Sequence, residues 1–217
     1  MTTSDRRGCL ITVEGVEGVG KSTNIDFIRR HLQSRDREVV MTREPGGTTL
    51  GEELRHLLLD HRRDGMVPDA ELLMIFAARA EHLARVIRPA LEAGRYVVCD
   101  RFTDATYAYQ GGGRGIDTAR IAVLEDWVQG ELRPDLTLIL DAPVELGLRR
   151  AEGRSGEADR FEQEHIAFFH RVRESYLSRA REQGIRYRVI DAARDLPAVQ
   201  AQIATVLDGW LERGVSP

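Results

Sequence analysis

The sequence predicts an α/β fold with a five-stranded parallel sheet and helices on both of its faces. Five short, continuously apolar runs alternate with segments whose apolar residues recur at helical spacing. Strands of this kind, without polar alternation, are typical of a parallel sheet that is buried on both sides. The predicted strands cover residues 9–13, 39–41, 96–99, 136–140 and 187–190.

The segments between these strands predict the helical layers. One long helix is predicted over about 69–92, with Asp69 as its N-terminal cap and a bend near Pro89. Further helices are predicted after the first strand and over 49–59, 117–129, 144–152, 160–182 and about 196–212. Since ligands of such folds gather at the carboxyl ends of the strands, the residues that follow each strand are the candidates for a site.

Composition narrows the classes of protein to consider. The chain has 217 residues, 42% hydrophobic and 30% charged, which suits a single globular domain over 1–217. Its net charge of −4 argues against a nucleic-acid partner. No apolar run approaches the ~20 residues of a membrane helix, so no membrane association is expected. Cys9 and Cys99 fall in predicted core strands, which favours reduced thiols and a cytoplasmic location.

A phosphate-binding loop follows the first strand. Residues 15–22 fit G-x-x-x-x-G-K-[ST] in the strand, turn and helix context that this motif needs. Lys21, the only lysine of the chain, is placed to reach the β- and γ-phosphates of ATP, and the hydroxyl of Ser22 is placed to ligate Mg²⁺. The predicted fold is therefore of the P-loop NTPase type. The predicted ATP-binding residues are Gly15, Val16, Glu17, Gly18, Val19, Gly20, Lys21, Ser22 and Thr23.

Charged residues follow three of the other strands. Arg43 comes after the second strand and is placed to bind a phosphate, together with Arg55 of the next helix. Asp100 and Arg101 end the third strand, where an acid can hold Mg²⁺ and an arginine can hold a phosphate. Asp141 ends the fourth strand and is the competing candidate for the metal.

Three other segments have candidate site residues. Phe76 and Arg79 share a helix face, where they suit stacking on a base, although Phe76 also fits a core stripe. The glycine-rich segment 106–115 predicts a loop that faces a ligand. Residues of about 149–160 predict a short mobile lid whose arginines, Arg150 and Arg154, close over transferring phosphates.

Taken together, these motifs resemble the thymidylate kinases, which phosphorylate dTMP to dTDP with ATP in dTTP biosynthesis. The resemblance runs from about Leu10 to Asp191. It rests on E-G-V-E-G-V-G-K-S-T (14–23), T-R-E-P-G-G-T (42–48), F-A-A-R-A-E-H (76–82), D-R-F (100–102), A-Y-Q-G-G-G-R-G-I (108–116) and R-P-D-L-T-L-I-L-D (133–141). It implies ATP and dTMP as substrates, Mg²⁺ as cofactor and a homodimer.

The resemblance also implies a role for each matching residue. Phe76 would stack on thymine, Arg79 would donate to a thymine carbonyl, and Thr106 and Gln110 would read the rest of the base edge. Tyr109 would crowd the 2′ position of the sugar. The remaining substrate contacts would come from Glu17, which reaches the 3′-hydroxyl, and from Arg43, Arg55 and Arg101, which hold the dTMP phosphate.

Two departures from the family pattern bear on these roles. The phosphate loop has Val16, Glu17 and Val19 where some members have an arginine, so the lid arginines are expected to supply that charge. Phe102 stands where many members have tyrosine or histidine, which affects only local packing in this interpretation.

Three alternatives were compared with this assignment. A GTP-dependent switch would need an Asn-Lys-x-Asp motif, which a chain with a single lysine at position 21 lacks. Another nucleoside-monophosphate kinase, or a deoxynucleoside kinase, stays open, because only the resemblance argues for thymine. A catalytically inactive nucleotide-binding relative is disfavoured, since every expected active-site residue is present.

Overall fold

The protein is a five-stranded parallel sheet with helices on both faces, as predicted. The computed structural model describes residues 7–60, 65–152 and 164–213. The strands are β1 (Leu10–Glu14), β2 (Val39–Arg43), β3 (Tyr96–Asp100), β4 (Leu136–Asp141) and β5 (Tyr187–Asp191). Their order in the sheet is β2-β3-β1-β4-β5, and every neighbouring pair is parallel. The phosphate loop therefore leaves a central strand.

The helices cover both sides of this sheet. They are α1 (Lys21–Gln33), α2 (Thr49–Leu59), α3 (Pro68–His82), α4 (Arg88–Glu92), α5 (Thr103–Thr106), α6 (Thr118–Gln129), α7 (Val144–Glu152), α8 (Ile166–Glu182) and α9 (Leu196–Glu212). On one face, Ile11 and Val13 of β1 join a core that includes Ile28 of α1 and Ile203 of α9. On the other face, Leu10 joins a second core that includes Leu83, Ile87, Ala90 and Leu91. None of the helices in the described ranges is long and apolar enough to cross a bilayer.

The long helix predicted over 69–92 differs from expectation in two ways. It begins at Pro68, whose fixed φ suits the first helical position, so Asp69 is not the cap but pairs with Arg120 through two contacts of 2.9 Å. The irregularity predicted near Pro89 also precedes this residue: a π-helical turn, Leu83–Ile87, connects α3 to α4, and Pro89 lies in the first turn of α4.

The glycine-rich segment is not a loop, and this prediction was wrong. Residues Tyr107–Gly113 form a second π-helical segment that continues α5 and packs against α8. A Cβ on Gly113 would lie 2.4 Å from the ring of Phe168, and one on Gly112 would lie 2.9 Å from Cβ of Ser175. The glycines are needed because the backbone of this segment approaches α8 closely.

The helix predicted over 160–182 begins at Ile166. His165 precedes it in an extended conformation. The earlier part of that prediction falls within 153–163, outside the described residues.

Candidate active site

The phosphate loop joins β1 to α1 and has the geometry of an anion site. Gly15, Gly18 and Gly20 have φ values of 139°, 74° and 87°, which side chains rarely adopt. Gly20 precedes α1 without a side-chain cap, so the first N–H groups of α1 are left for a ligand. Val16 and Val19 are buried in the core and anchor the loop, while Ser22 and Thr23 are exposed.

Lys21 is folded back onto this loop. Its Nζ donates to the carbonyl oxygens of Gly15, at 3.2 Å, and Val16, at 3.4 Å. Burial, together with the positive charge of Arg101, lowers the pKa of Lys21 to about 8, against the pull of the nearby carboxylates. A buried ammonium that donates to two carbonyls is well placed to exchange them for phosphate oxygens, which carry a full negative charge.

A polar cavity lies in front of the loop and collects the predicted phosphate-binding residues. It encloses about 760 Å³ including its open mouth. Arg43 also pairs with Glu52 at 2.8 Å, and Arg55 donates to the carbonyl of Pro45 at 3.0 Å. The lining residues are Glu17, Gly18, Gly20, Lys21, Ser22, Arg43, Glu44, Arg55, Asp100 and Arg101. Three arginines and one lysine around one cavity suit several phosphate groups at once.

The two acids that were candidates for a metal are distinguished by their partners. Both carboxylate oxygens of Asp141 accept from Arg173, at 2.7 and 2.8 Å, which occupies that side chain. Asp100 lines the polar cavity with Ser22, and its buried Oδ1 atom has no hydrogen-bond partner in the part of the chain described. The described part of the chain contains no group of three or more His, Cys, Asp or Glu side chains that could hold a metal ion by themselves.

A second cavity opens beside the first and is more apolar. It has about 590 Å³ of space including its mouth, within the range of small-molecule pockets. Both cavities are lined by Glu17, Glu44, Arg55 and Arg101, so they are contiguous. The second cavity is lined in addition by Pro45, Leu58, Leu59, Ile75, Arg79, Phe102, Ala105, Thr106, Tyr109 and Gln110.

Phe76 is not among the lining residues, and its predicted stacking role is not supported by its position. Its ring is buried in a cluster with Leu72 and Tyr107, as the core-stripe alternative held. The adjacent Ile75 lines the cavity instead. Phe102 also lines it, so this residue belongs to the pocket rather than to local packing only.

Arg79 is held in place by a buried network. Its guanidinium lies between the rings of Phe76, at 4.7 Å, and Phe102, at 5.1 Å. Its Nε donates to Oε2 of Glu44 at 2.7 Å, and its Nη2 donates to Oγ1 of Thr106 at 2.9 Å. The third nitrogen, Nη1, is buried without a partner in the described residues. Arg79 thus offers one unpaired donor at a cavity that it lines.

Glu44 and His82 belong to two of the sequence motifs, T-R-E-P-G-G-T and F-A-A-R-A-E-H, but no role was predicted for either. Nδ1 of His82 donates to Oε1 of Glu44 at 3.0 Å, and the hydroxyl of Thr42 lies 2.5 Å from Nε2 of His82. Both Glu44 and His82 are buried. Their presence in these two motifs, one of which contains Arg79, was the available signal. The pairing itself joins residues 38 apart in sequence and could not be read from spacing.

Glu17, Arg101 and Tyr109 form the junction of the two cavities. Nη2 of Arg101 donates to Oε1 of Glu17 at 2.7 Å, and the hydroxyl of Tyr109 donates to Oε2 of Glu17 at 2.7 Å. Burial raises the pKa of Tyr109 well above its ordinary value, so the hydroxyl stays protonated as a donor. Arg101 has a φ of 65°, a strained conformation of the kind found at functional sites.

The predicted lid is described only in part. Arg150 lies near the end of α7, and its Nη1 donates to the carbonyl of Ala192 at 2.9 Å, just after β5. Arg154 falls outside the described residues. The structure therefore brings together the phosphate-loop, strand-end and base-edge candidates, while Arg150 bonds to the loop that follows β5.

A parallel sheet with this loop, a basic phosphate cavity and a contiguous second pocket define a P-loop kinase of the nucleoside-monophosphate class. A sequence model of the thymidylate kinase family matches residues 13–203. The chain belongs to the thymidylate kinase family.

Individual relatives agree with this assignment. The thymidylate kinase of Pseudomonas putida F1 is 60% identical over 95% of this chain and 98% of its own. That of Pseudomonas syringae pv. tomato is 58% identical over 94% and 97%. Among solved structures, the thymidylate kinase of Ehrlichia chaffeensis is 34% identical, with a TM-score of 0.75 over 93% of this chain and 99% of that one.

Proposed function

We propose that this chain transfers the γ-phosphoryl group of ATP to the phosphate of dTMP, forming dTDP and ADP. The observation that carries the proposal is the junction at Glu17 and Arg101. It joins a cavity built for phosphates to a pocket suited to a nucleoside. A donor and an acceptor nucleotide bound in these cavities would meet at their phosphate ends, as direct transfer requires.

The donor site consists of the phosphate loop. Its N–H groups and the N-terminus of α1 would bind the phosphates of ATP. Lys21 would leave the carbonyls of Gly15 and Val16 to bind the β- and γ-phosphates. The transition state spreads charge over the transferring oxygens, so catalysis is mainly positioning and electrostatic stabilisation.

The acceptor site holds dTMP from its phosphate to its base. Arg43, Arg55 and Arg101 would bind the phosphate, whose own oxygen is the nucleophile, so no general base is needed. Glu17 would accept from the 3′-hydroxyl of the sugar, and Tyr109 would crowd the 2′ position. In place of the stacking first assigned to Phe76, Ile75 and Phe102 would contact the base faces, since both line the pocket.

The base edge would be read by Arg79, Thr106 and Gln110. Nη1 of Arg79 is a buried donor that a carbonyl of thymine would satisfy. Gln110 and Thr106 line the same pocket, and the hydroxyl of Thr106 already accepts from Arg79. A buried unpaired donor discriminates strongly, because a base without a facing acceptor leaves it unsatisfied.

Ser22 and Asp100 fit Mg²⁺. Both are oxygen ligands on the polar cavity, and the unpartnered Oδ1 of Asp100 is an acceptor that a hard cation would satisfy. When bound, Mg²⁺ supplies positive charge to the phosphate oxygens of ATP.

The reduced, buried thiols of Cys9 and Cys99 agree with the cytoplasmic location expected from the sequence.

A homodimer is also proposed, through one apolar surface made by α2, α3 and α6, which pack side by side. It includes Leu57 of α2, Leu73 of α3, and Val123 and Trp127 of α6, and Trp127 is 81% exposed. Large apolar side chains exposed together mark protein interfaces. Light scattering should give twice the chain mass, and Trp127→Glu should shift the enzyme towards the monomer.

The central experiment is a coupled ADP-release assay with a panel of nucleoside monophosphates and deoxynucleosides. We expect dTMP to be the preferred acceptor. A higher kcat/KM for another monophosphate would favour a different kinase of this class, and turnover of thymidine but not dTMP would indicate a deoxynucleoside kinase. The absence of turnover with every acceptor, by folded enzyme, would contradict the proposal.

A further inference from the structure

Gln110 is bound to a buried carboxylate that the proposed function does not use. Glu71, in the first turn of α3, has 0% of its surface exposed. Nε2 of Gln110 donates to Oε1 of Glu71 at 2.8 Å. Nε of Arg114 approaches the same oxygen at 3.4 Å, and Arg114 also pairs with Glu164. Glu71 does not line the nucleoside pocket, and its contact with Gln110 links it to the pocket.

This contact determines which end of the Gln110 amide faces the pocket. Oε1 of Glu71 is the acceptor of this bond, and the guanidinium of Arg114 beside it can only donate. The amide must therefore turn its NH₂ group towards Glu71. The amide oxygen is left for a ligand in the pocket, where it can only accept. Without Glu71, the two orientations of the amide would differ little in energy.

Arg79 and Gln110 consequently offer the base edge one donor and one acceptor. The donor is the unpaired Nη1 of Arg79, and the acceptor is the amide oxygen of Gln110. Thymine and uracil present the matching pair, a carbonyl at C4 beside an N–H at N3. Cytosine presents the reverse, an amino group beside an unprotonated ring nitrogen. Two donors would then face each other, as would two acceptors, and neither would be satisfied.

We propose that Glu71 is a positioning residue for base selectivity: by orienting the Gln110 amide, it makes the pocket accept a 4-oxo pyrimidine and reject a 4-amino pyrimidine. The inference rests on the proposed function, since it assumes that the base binds beside Arg79 and Gln110. It goes beyond that function because Glu71 touches no substrate.

The test compares dTMP with dCMP as acceptors for variants of Glu71. Glu71→Met removes the acceptor and frees the amide to turn. We expect the ratio of kcat/KM for dTMP to that for dCMP to fall by roughly tenfold or more, mainly through a higher KM for dTMP. Glu71→Gln keeps an oxygen that can accept from Gln110 and should retain most of the selectivity. An unchanged ratio in folded Glu71→Met would overturn the inference.

Glu125→Met is the matched control. Glu125 is another buried helical glutamate, which accepts from the hydroxyl of Tyr107 at 2.7 Å and pairs with Arg133 at 2.7 Å, but it does not line the pocket. Its loss should lower stability with the selectivity ratio unchanged. An equal fall of the ratio in both variants would mean that any lost buried carboxylate loosens the pocket, and would overturn the specific role of Glu71.

An exchange of the two side chains tests the contact even if Glu71→Met does not fold. Gln110→Glu alone sets two carboxyl groups against each other and should lower kcat/KM for dTMP by roughly tenfold or more. In the double variant Gln110→Glu/Glu71→Gln, the amide at position 71 can donate to one oxygen of the carboxylate at position 110. The other carboxylate oxygen still faces the base as an acceptor, so this variant should recover most of the loss. Additive losses would overturn the inference. Failure of the wild-type enzyme to use dTMP would instead overturn the proposed function, which separates the two.

Discussion

Nη2 of Arg101 donates to Oε1 of Glu17 at 2.7 Å, and this bond ties the phosphate loop to the residue that follows β3. Glu17 is otherwise out of place, because a carboxylate in a phosphate-binding loop repels the ligand. Its pairing with Arg101 offsets that repulsion and leaves Glu17 beside the nucleoside pocket. We therefore expect the loop to serve the acceptor as well as the donor.

Removing the charge of Glu17 should therefore weaken use of the acceptor more than that of the donor. For Glu17→Gln, we expect kcat/KM for dTMP to fall roughly 10- to 100-fold, since a charge-assisted hydrogen bond is lost at a partly buried site. The KM for ATP should change little. Steady-state kinetics with both substrates varied will measure this. Glu38→Gln, which removes an exposed partner of Arg95, is the control and should behave as wild type. A loss confined to ATP would refute the assignment.

The pKa of Lys21, about 8, predicts proton uptake when ATP binds. Phosphate oxygens stabilise the ammonium, so bound ATP raises the pKa of Lys21. The affinity of the enzyme for ATP should therefore fall as the pH rises above 8. Calorimetry at pH 8.5 in two buffers of different ionisation enthalpy should detect the uptake. Lys21→Ala should abolish both the uptake and phosphoryl transfer, while dTMP still binds. A wild-type enzyme whose ATP affinity is flat between pH 7 and 9 would contradict the expectation.

The same shift affects the stability of the ligand-free enzyme. The folded pKa lies below the ordinary value of 10.5, so the unfolded chain binds more protons between pH 8 and 10.5. The contribution of Lys21 to the free energy of unfolding therefore rises with pH across that window. Urea unfolding of wild type and of Lys21→Met at pH 7.5 and 9.5 measures this contribution. The free energy of unfolding of the wild type should rise relative to that of Lys21→Met at the higher pH.

Arg79 and Glu44 should depend on each other for stability. Arg79→Met leaves Glu44 buried with His82 as its remaining charge partner among the described residues, and we expect a cost of about 3–5 kcal/mol in urea unfolding. The double variant Arg79→Met/Glu44→Gln should recover a substantial part of the lost stability, because the buried charge of Glu44 is then removed as well. Both variants should still lose dTMP activity, because the donor to the base is gone. Arg85→Met removes an exposed pair with Glu81 and should cost under about 0.5 kcal/mol. A double variant no more stable than the single one would show that the two residues are not coupled.

The start of α7 packs directly under the phosphate loop. A Cβ on Gly147 would lie 2.5 Å from the carbonyl oxygen of Glu17, so Gly147→Ala must displace the loop. We expect kcat/KM for ATP to fall roughly 10- to 100-fold. Gly209→Ala in α9 is the control, because its Cβ would meet only the end of Arg213 at 3.7 Å. It should keep full activity and gain up to about 1 kcal/mol in stability. Equal activity in the two variants would exclude a tight fit at Gly147.

The lid arginines should act on the rate of transfer. In Arg150→Ala and Arg154→Ala we expect kcat to fall by about 10²–10³, with the larger loss for Arg154, because a charge that stabilises the transition state adds little to substrate binding. Steady-state kinetics of both variants will separate kcat from KM. A change limited to the KM for ATP in both would mean that these arginines only attract the nucleotide. The catalytic charge would then come from elsewhere, for example from Arg149 or Arg160 of the same predicted lid.

Local pattern determined much of the fold and of the phosphate site. Continuous apolar runs indicated five buried strands, and all five are present with bounds shifted by one or two residues. The loop at 15–22 could be recognised because its chemistry depends on neighbours in sequence: glycines for the turn, then lysine and serine at the start of a helix. The acids and arginines at strand ends could be located because parallel strands all finish at one edge.

Tertiary structure decided the rest, because it depends on helix rotation and on contacts between distant residues. Ile75 and Phe76 lie about 100° apart around α3, and only the packing of α3 against its neighbours selected Ile75 for the pocket. The glycines at 111–113 suggested a loop, but the close approach of α8 accounts for Gly112 and Gly113. The supports of the base site, Glu44 for Arg79 and Glu71 for Gln110, are 35 and 39 residues from their partners. Sequence spacing has no bearing on such pairs, which form only when the sheet and its helices are assembled.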